Sequence, residues 1–542
     1  MPTQLNHPFI FTLSLQPSAF HPVPSAALYE TAFSGENKRV NIRLCFATGL
    51  AVLFVSAVGL FAGGSGLNVV VVVNQNSTNS VQLGNYYCER RGVPPQNLLR
   101  ITNWTGGSVE WTTSDFTNSL VNPLVSMLSS RGLTNQIDYV VLSMDFPYRV
   151  VQSGAESGKN SITAALFYGF KTDDCSNNCP EGIPGCNLPA ASSNAYAGSE
   201  GIFRQTPPIA AGSNSWLVTM LTSSNLAQAQ AIIDRSVAGD GAFPTQMVWL
   251  AKTSDLARNV RYLEFDNTIF DARLAGDFSI QRTNLDSPYG LTNLLGYQTG
   301  LAGFNILPNA LVPGAIADSL TSYAGMLYEN SYGQTTLLAF LNAGACGSYG
   351  TVTEPCNYLQ KFPSPQDYFY QARGFNLAEC YYMSLVNPYQ GLIVGEPLAA
   401  PFARPPVGAW VNLPTNSVLS GTTNLTLQCT ASTSNRPIQQ VDLFLDGTWL
   451  QTLTNIPPAA GNQFYVTING CTTNYLVPSN ATIASVASGL AGVLNQSAYV
   501  LQSKAQAVAY GDRIGLQFTD INTPGAQIPV SVSTAIGSAS GL

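Results

Sequence analysis

The sequence predicts an α/β domain, with a mostly parallel sheet flanked by helices, followed by smaller β-rich modules. Three observations predict this arrangement. A continuous apolar run opens the body of the chain, apolar runs then alternate with segments of helical periodicity, and beyond about residue 405 the apolar period changes to two. The 542 residues are too many for one core and suggest two to four domains.

The first elements of the body read strand, helix, strand, helix, strand. "LNVVVVVN" (67–74) is typical of a strand buried on both faces. The helical pattern of "STNSVQLGNYYCERRGV" ends at Gly92. "NLLRIT" and "QIDYVVLSM" are the next strands, and between them a helix starts at Thr113 or Ser114, with a kink expected at Pro123.

Residues 150–215 lack periodicity and are rich in Gly, Ser, Asn and Cys, so we interpret them as a disulfide-rich insertion. The strands "SWLVTML" and "TQMVWLAK" then flank the helix "NLAQAQAIIDRSVAG". "TTLLAFLNAG" and "NLAECYYMSL" are further helices, the latter with a near capping box of Asn376 and Glu379. A buried strand at 391–398 completes an α/β domain spanning 67–404.

The C-terminal part divides into a β module at 405–460 and an α+β module with one helix at 461–542. "NLTLQCTAS" alternates apolar and polar residues, and "QVDLFLDGTWLQTLT" predicts a hairpin that turns at Asp446–Gly447. The first module resembles the immunoglobulin-like modules of exported bacterial proteins.

Composition excludes some classes of partner. Only 10% of the residues are charged and the net charge is −7. A nucleic-acid-binding protein needs a basic surface, so this class is not expected.

The N-terminal region predicts export. After a tail at 1–37, residues 38–64 contain Lys38 and Arg43, an apolar run at 44–62 and small residues, as in a secretory signal. The run is almost long enough to span a membrane as an anchor. Either alternative places the body outside the cytoplasm, in an extracellular or periplasmic setting.

The cysteine inventory fits an exported protein with disulfide bonds. Nine cysteines follow the apolar run, so at least one is free or pairs between chains. We expect bonds within the insertion and a possible bridge between the two C-terminal modules. The disulfide candidates are Cys175, Cys179, Cys186, Cys346, Cys356, Cys429 and Cys471.

Several sequence blocks between residues 67 and 404 resemble a family of exported bacterial proteins with no established activity. The blocks include "YYCERRGVP", "FPYRV", "PGAIADSLTSYAGML", "GSYGTVTEPC" and "LIVGEPLAAPF". The opening and closing blocks are distantly similar to gingipain-like cysteine peptidases. This resemblance implies a caspase-like or flavodoxin-like sheet. Members often carry His where this chain has Ser319.

The histidine inventory argues against a gingipain-like mechanism. A Cys or Ser nucleophile needs a base, usually His. The two histidines, His7 and His21, both precede the apolar run, so an exported body contains none. We therefore interpret Cys346 as a buried small residue or half of a disulfide rather than a nucleophile.

Carboxylate chemistry remains as the catalytic alternative. In an open α/β sheet, ligands bind beyond the carboxyl ends of the strands. Asp145, Glu354 and Glu396 each follow a strand, and two carboxylates in one groove can act as acid and base. Arg149 and Tyr349 are candidate binding residues. The structural alternative is an ion pair of Arg149 with Glu354 or Glu396.

Metal sites and cofactors have weak support in the sequence. Oxygen-bearing side chains around Asp173 and Asp174 suggest a Ca²⁺ site, but without the spacing of an EF-hand. Cys175, Cys179 and Cys186 offer three zinc thiolates, although disulfides are favoured in an exported protein. No nucleotide-binding loop is present, so no other cofactor is expected.

Two functional hypotheses follow. The first is a binding or scaffold protein in which a catalytically silent, hydrolase-like domain contacts an extracellular or periplasmic protein or glycan. The second is a histidine-independent hydrolase of glycans or peptides.

Overall fold

The computed structural model describes residues 64–410 and 440–534 apart from gaps, and a few shorter segments. The gaps are 153, 155–157, 172–193, 199, 201–202, 204–215, 276–278, 287–289, 291, 309, 455–457, 459, 511–512, 521 and 523–524. The shorter segments are 9–14, 51–52, 411, 413, 418–419, 422–430 and 432. Chain contacts define two units, Met1–Gly59 with Pro406–Ile438, and Leu60–Pro405 with Gln439–Leu542.

The larger unit contains thirteen described strands before residue 405. They are β1 (Val69–Asn74), β2 (Leu98–Ile101), β3 (Glu110–Thr112), β4 (Tyr139–Leu142), β5 (Arg149–Val151), β6 (Lys159–Ser161), β7 (Leu217–Met220), β8 (Val248–Ala251), β9 (Ile280–Thr283), β10 (Leu294–Thr299), β11 (Leu311–Ser319), β12 (Gly347–Thr351) and β13 (Gly391–Gly395).

Ten of these strands form one mixed, mostly parallel sheet in the order β9-β8-β10-β11-β12-β13-β7-β4-β1-β2. Strands β2, β1, β4 and β7 pair in parallel, and so do β9, β8, β10, β11 and β12. Strand β13 is antiparallel to β12, with Gly395 opposite Gly347. It meets β7 through one residue pair, Val394 with Met220. The predicted α/β class with a mostly parallel sheet is confirmed at this level.

Helices flank this sheet. They are α1 (Thr78–Arg91), α2 (Thr113–Phe116), α3 (Asn122–Ser130), α4 (Ile162–Tyr168), α5 (Leu226–Gly239), α6 (Tyr262–Ala275), α7 (Leu337–Asn342), α8 (Gln366–Ala372) and α9 (Leu377–Ser384). A π-helical turn, Thr117–Val121, joins α2 to α3 just before Pro123, so the expected kink takes this form.

Local signals in the sequence explain several element ends. The Ser77 hydroxyl caps α1 by accepting from the Ser80 N–H at 3.1 Å, and Gly92 ends the helix with φ of 63°. The predicted capping box at α9 is confirmed, since Asn376 and Glu379 each accept from the other's backbone N–H. Strand β1 is fully buried, as its run of valines predicts.

A small three-stranded sheet, in the order β3-β5-β6, combines β3 with two strands at the start of the region predicted to be irregular. Strands β3 and β5 pair in parallel and set Arg149 beside Glu110. Ser161 caps α4 by accepting from the Ala164 N–H at 3.1 Å. The predicted insertion at 150–215 therefore contains regular structure at its start, because polar strands of three residues carry too little apolar periodicity to be recognised.

The C-terminal part of this unit follows the α/β sheet. Its elements are β14 (Gln440–Leu445), β15 (Thr448–Thr454), β16 (Gln463–Ile468), β17 (Cys471–Leu476), α10 (Ile483–Leu494), α11 (Ser497–Ser503), β18 (Ala505–Tyr510), β19 (Arg513–Phe518) and β20 (Val530–Thr534). Strands β14 and β15 form the predicted hairpin, and its turn residues Asp446 and Gly447 both have positive φ.

Hydrogen bonds attach the β14–β15 hairpin to the α/β domain. The Gln136 side chain donates to the Gly447 carbonyl at 2.8 Å and accepts from the Trp449 N–H at 2.8 Å. The hairpin therefore belongs to the larger unit, which differs from the predicted β module at 405–460.

The smaller unit contains two antiparallel sheets. One has three strands, Phe9–Ser14, Thr422–Thr430 and Val407–Trp410. The other pairs Ala51–Val52 with Val418–Leu419. The first strand lies in the predicted tail at 1–37. The predicted apolar run at 44–62 lies outside the described residues except for 51–52. Among the helices in the described segments, none combines the length and apolar character of a membrane span.

Candidate functional site at the sheet edge

Asp145 lies in the loop after β4, beside the first turn of α1. The Ser77 hydroxyl donates to its Oδ2 at 2.5 Å, and the Asn74 amide donates to its backbone carbonyl at 3.2 Å. Asp145 itself has a φ of 64°, in the left-handed region. These bonds fix the carboxylate, half-buried, at the carboxyl ends of β1 and β4.

Glu396 follows β13 and is fully buried. Its carboxylate forms an ion pair with Arg91, accepts from the Tyr87 hydroxyl at 2.8 Å and accepts from the Leu398 N–H at 3.1 Å. Arg91 also pairs with Asp240. Burial lowers the pKa of Arg91, but Glu396 and Asp240 outweigh burial and raise it. The carboxylate of Glu396 is therefore engaged by interior groups.

Asp145 and Glu396 consequently lie at opposite ends of α1. Asp145 contacts the N-cap of α1, whereas Glu396 contacts Arg91, the last residue of the same helix. A helix of 14 residues is about 21 Å long. The structure therefore does not bring this pair of carboxylates together.

Hydrogen bonding places Glu396 at the start of β12. The Glu396 N–H donates to the Cys346 carbonyl at 3.1 Å, immediately before β12 begins, because β13 is antiparallel to β12. An apolar run predicts a buried strand but neither its direction nor its neighbours, so the sequence alone does not give this position.

Glu354 and Tyr349 belong to the segment around β12. Glu354 is half-buried, and its Oε1 accepts from the Cys356 N–H at 2.8 Å. Tyr349 is fully buried and donates to the Lys361 carbonyl. Burial raises the pKa of Tyr349 well above its ordinary value. Because its ring is enclosed, Tyr349 has no surface to offer as the predicted binding residue.

Arg149 is almost buried and contacts Glu110 and Glu329, two glutamates that the sequence did not point to. Its Nη2 lies 2.8 Å from Glu110 and 3.3 Å from Glu329, and its Nη1 lies 2.9 Å from Glu329. The expected pairing with Glu354 or Glu396 is wrong, although Arg149 does donate to the Val352 carbonyl at 3.4 Å. No motif marks the two glutamates: Glu110 begins β3, and Glu329 lies in the loop after β11.

Two tyrosines connect Arg149 to Asp145. The Tyr148 hydroxyl donates to Glu329, and the Tyr148 and Tyr328 rings meet edge to face at 6.0 Å. The Tyr328 and Thr222 hydroxyls are 2.8 Å apart. Burial, with a smaller contribution from Asp145, raises the pKa of Tyr328 to about 12.

We call Asp145, Tyr148, Arg149, Tyr328 and Glu329 the carboxyl-edge cluster. It lies where an open α/β sheet is expected to bind ligands. It combines carboxylates and hydroxyls but contains neither an imidazole nor a thiol. The arrangement can accept and donate hydrogen bonds to a ligand, and it lacks an activated nucleophile.

The described cysteines are mostly unreactive. Cys346 is fully buried, its Sγ accepts from the Gly314 N–H at 3.1 Å, and burial raises the pKa of its thiol. Cys429 and Cys471 are free, so the suggested bridge between them is wrong. Cys356 is disulfide-bonded.

The remaining predictions concern residues outside the described part of the chain, and metal binding. Cys175, Cys179, Cys186, Asp173 and Asp174 lie outside the described residues, as do His7 and His21. Within the described ranges, no group of three or more His, Cys, Asp or Glu side chains could hold a metal ion.

Comparisons with known proteins give little further information. No protein-family model matches the chain, and no curated protein matches it. One solved structure, described as "Structure of Protease", is 9% identical over 77% of this chain and 90% of its own, with a TM-score of 0.35.

Proposed function

We propose that this protein is an exported binding or scaffold protein whose α/β domain is a catalytically silent relative of a hydrolase. The observation that carries the proposal is the separation of Asp145 and Glu396 at the two ends of α1. A pair of carboxylates that acts as acid and base must face one substrate across a few ångströms.

The state of each candidate group supports the same proposal. Asp145 accepts from Ser77, Glu354 accepts from the Cys356 N–H, and Glu396 is ion-paired inside the protein. Cys346 is enclosed and holds a thiol with a raised pKa.

A second candidate, a histidine-independent hydrolase, is favoured by Glu110 and Glu329. Their side chains are 52% and 31% exposed, and both contact the same nitrogen of Arg149. Against it, the contacts of both carboxylates with one guanidinium are those of a structural ion pair, which also occurs at such positions.

Hydrolysis screens distinguish the two candidates. The purified full chain would be incubated with peptide and glycan libraries beside the variants Glu329→Gln and Glu354→Gln. Asp266→Asn, in an exposed pair with Arg282, is the matched control. We expect the same background rate for all four proteins. A rate that falls in Glu329→Gln or Glu354→Gln, and not in Asp266→Asn, would overturn the proposal in favour of the hydrolase.

The proposal includes location and partner class. The basic residues and apolar run at 38–64 support export, to the periplasm or the extracellular space. The expected partner is a protein or glycan of that compartment. N-terminal sequencing of the mature protein would show whether the segment is cleaved or kept as an anchor.

A further inference from the structure

We propose that the loops after β8 and β11 form a binding site for neutral oligosaccharides centred on Tyr332. This inference rests on the proposed non-catalytic binding function and names its ligand class. The site lies at the carboxyl ends of parallel strands, where ligands bind in open α/β sheets.

Tyr332 is an exposed ring on an unfavourable backbone. Its side chain is 69% exposed and its φ is 55°. Gly333 follows with φ of 77°, and the Gln334 N–H donates to the Ser331 carbonyl at 3.0 Å, which closes the turn. Turns with two positive φ values favour Asn, Asp or Gly at the position of Tyr332.

The ring of Tyr332 does not pack in the core, so core packing does not explain why a tyrosine stands at this positive φ. It packs against the half-exposed ring of Tyr323, with centroids 4.9 Å apart and planes inclined at 45°. Backbone strain of this kind persists where the side chain has a use. The two rings together present an aromatic surface to solvent.

A polar network fixes the base of this surface. The Gln334 Oε1 accepts from the Tyr323 N–H at 2.9 Å and from the Thr321 hydroxyl at 2.5 Å. Arg258 Nε donates to the same hydroxyl at 3.0 Å. Thr321 is buried, so the network holds the aromatic pair in one orientation.

Two donors beside the rings remain available. Gln334 Nε2 and Arg258 Nη2 donate no hydrogen bond to any residue in the described part of the chain. Both side chains are half-buried. A pyranose ring has a face of C–H groups, which packs on an aromatic ring, and hydroxyls at its rim, which accept from such donors.

The local charge favours a neutral sugar over an acidic one. Arg258 Nη1 is already paired with Asp255 at 2.9 Å. Asp286 lies in the adjoining loop, where it accepts from the Ser254 N–H at 2.6 Å. With Asp255 paired to Arg258 and Asp286 bonded to Ser254, the site carries no positive excess to attract an anion.

Binding would be measured by calorimetry on the full chain with cellohexaose, chitohexaose and maltohexaose. The test variants are Tyr332→Gly and Tyr332→Phe, and Leu476→Ala, an exposed residue of the C-terminal part, is the control. Glycine suits a positive φ, so Tyr332→Gly should unfold at the same or a higher temperature than the wild type.

We expect at least one of the three sugars to bind saturably. Tyr332→Gly should weaken that binding by about tenfold or more, whereas Tyr332→Phe and Leu476→Ala should bind like the wild type. Equal binding by all variants, or no binding of any of the sugars, would overturn the inference and leave the non-catalytic function standing. Cleavage of a bound sugar would instead overturn the proposed function.

Discussion

Glu396→Gln is the substitution that best separates a structural carboxylate from a catalytic one. The change keeps the volume of the side chain and removes its charge. In the folded protein it leaves the guanidinium of Arg91, whose side chain is 0% exposed, with Asp240 as its remaining carboxylate partner. Removal of one member of a buried ion pair costs about 3–5 kcal/mol, because the other charge stays desolvated.

We expect a loss at the lower end of that range, because Asp240 also neutralises Arg91. It already pairs with Arg91, and its other oxygen accepts from the Ala400 N–H at 2.9 Å. Burial raises the pKa of Asp240 to about 6, although Arg91 lowers it. After loss of Glu396, Asp240 would still pair with Arg91. We therefore expect a loss of about 3 kcal/mol in the free energy of unfolding.

Urea denaturation followed by tryptophan fluorescence measures this loss. With an m-value of about 3 kcal/mol per molar urea, the unfolding midpoint should fall by about 1 M. Asp266→Asn makes the same chemical change in the exposed pair with Arg282 and should cost at most about 0.5 kcal/mol. The triple variant Arg91→Met, Asp240→Asn and Glu396→Leu removes all three buried charges and should recover part of the loss.

A midpoint for Glu396→Gln equal to that of Asp266→Asn would refute this reasoning. It would mean that the Arg91 pair contributes little, and that Glu396 is retained for another purpose. An unchanged midpoint combined with a lost activity would restore Glu396 as a functional group.

Two further predictions concern buried groups. Burial, reinforced by Asp318, raises the pKa of Asp367 well above its unfolded value of 3.8, so wild-type stability should fall as the pH rises from about 4 toward the raised pKa. In urea titrations, Asp367→Asn should flatten this pH dependence. Asp318→Asn removes the partner of Arg261 and should destabilise the protein by about 3 kcal/mol. Cys346 should resist iodoacetamide in the native protein and react only on unfolding, as followed by mass spectrometry; rapid native labelling would contradict its burial.

Local signals in the sequence were sufficient to predict several elements of the fold. The valine run of β1, the glycine that ends α1 and the capping box of α9 each depend on neighbouring residues alone. The Asp446–Gly447 turn is of the same kind. Each such element was predicted from the sequence with nearly its observed bounds.

Strands β9, β10 and β11 were missed because tertiary packing overrides their local signals. All six residues of β10 are buried, yet they include Gly296 and Gln298, which break an apolar run. A Cβ at Gly296 would lie 2.2 Å from the Tyr368 ring, so the glycine is needed for this contact. The Gln298 Nε2 donates to Asp318 and Asp367, whose proximity no local pattern reveals.

The scarcity of charge also bears on what this protein can recognise. Arg91, Arg149, Arg261 and Arg373 each pair with carboxylates of the same chain, so these four cations serve the fold. A chain in which only 10% of residues are charged, and which commits its arginines in this way, has little charge left to attract an ionic ligand. Recognition must then depend on aromatic surface, hydroxyls and amides, which is the chemistry of the loop around Tyr332. The same composition that first excluded nucleic acid therefore favours a neutral, hydroxyl-rich ligand.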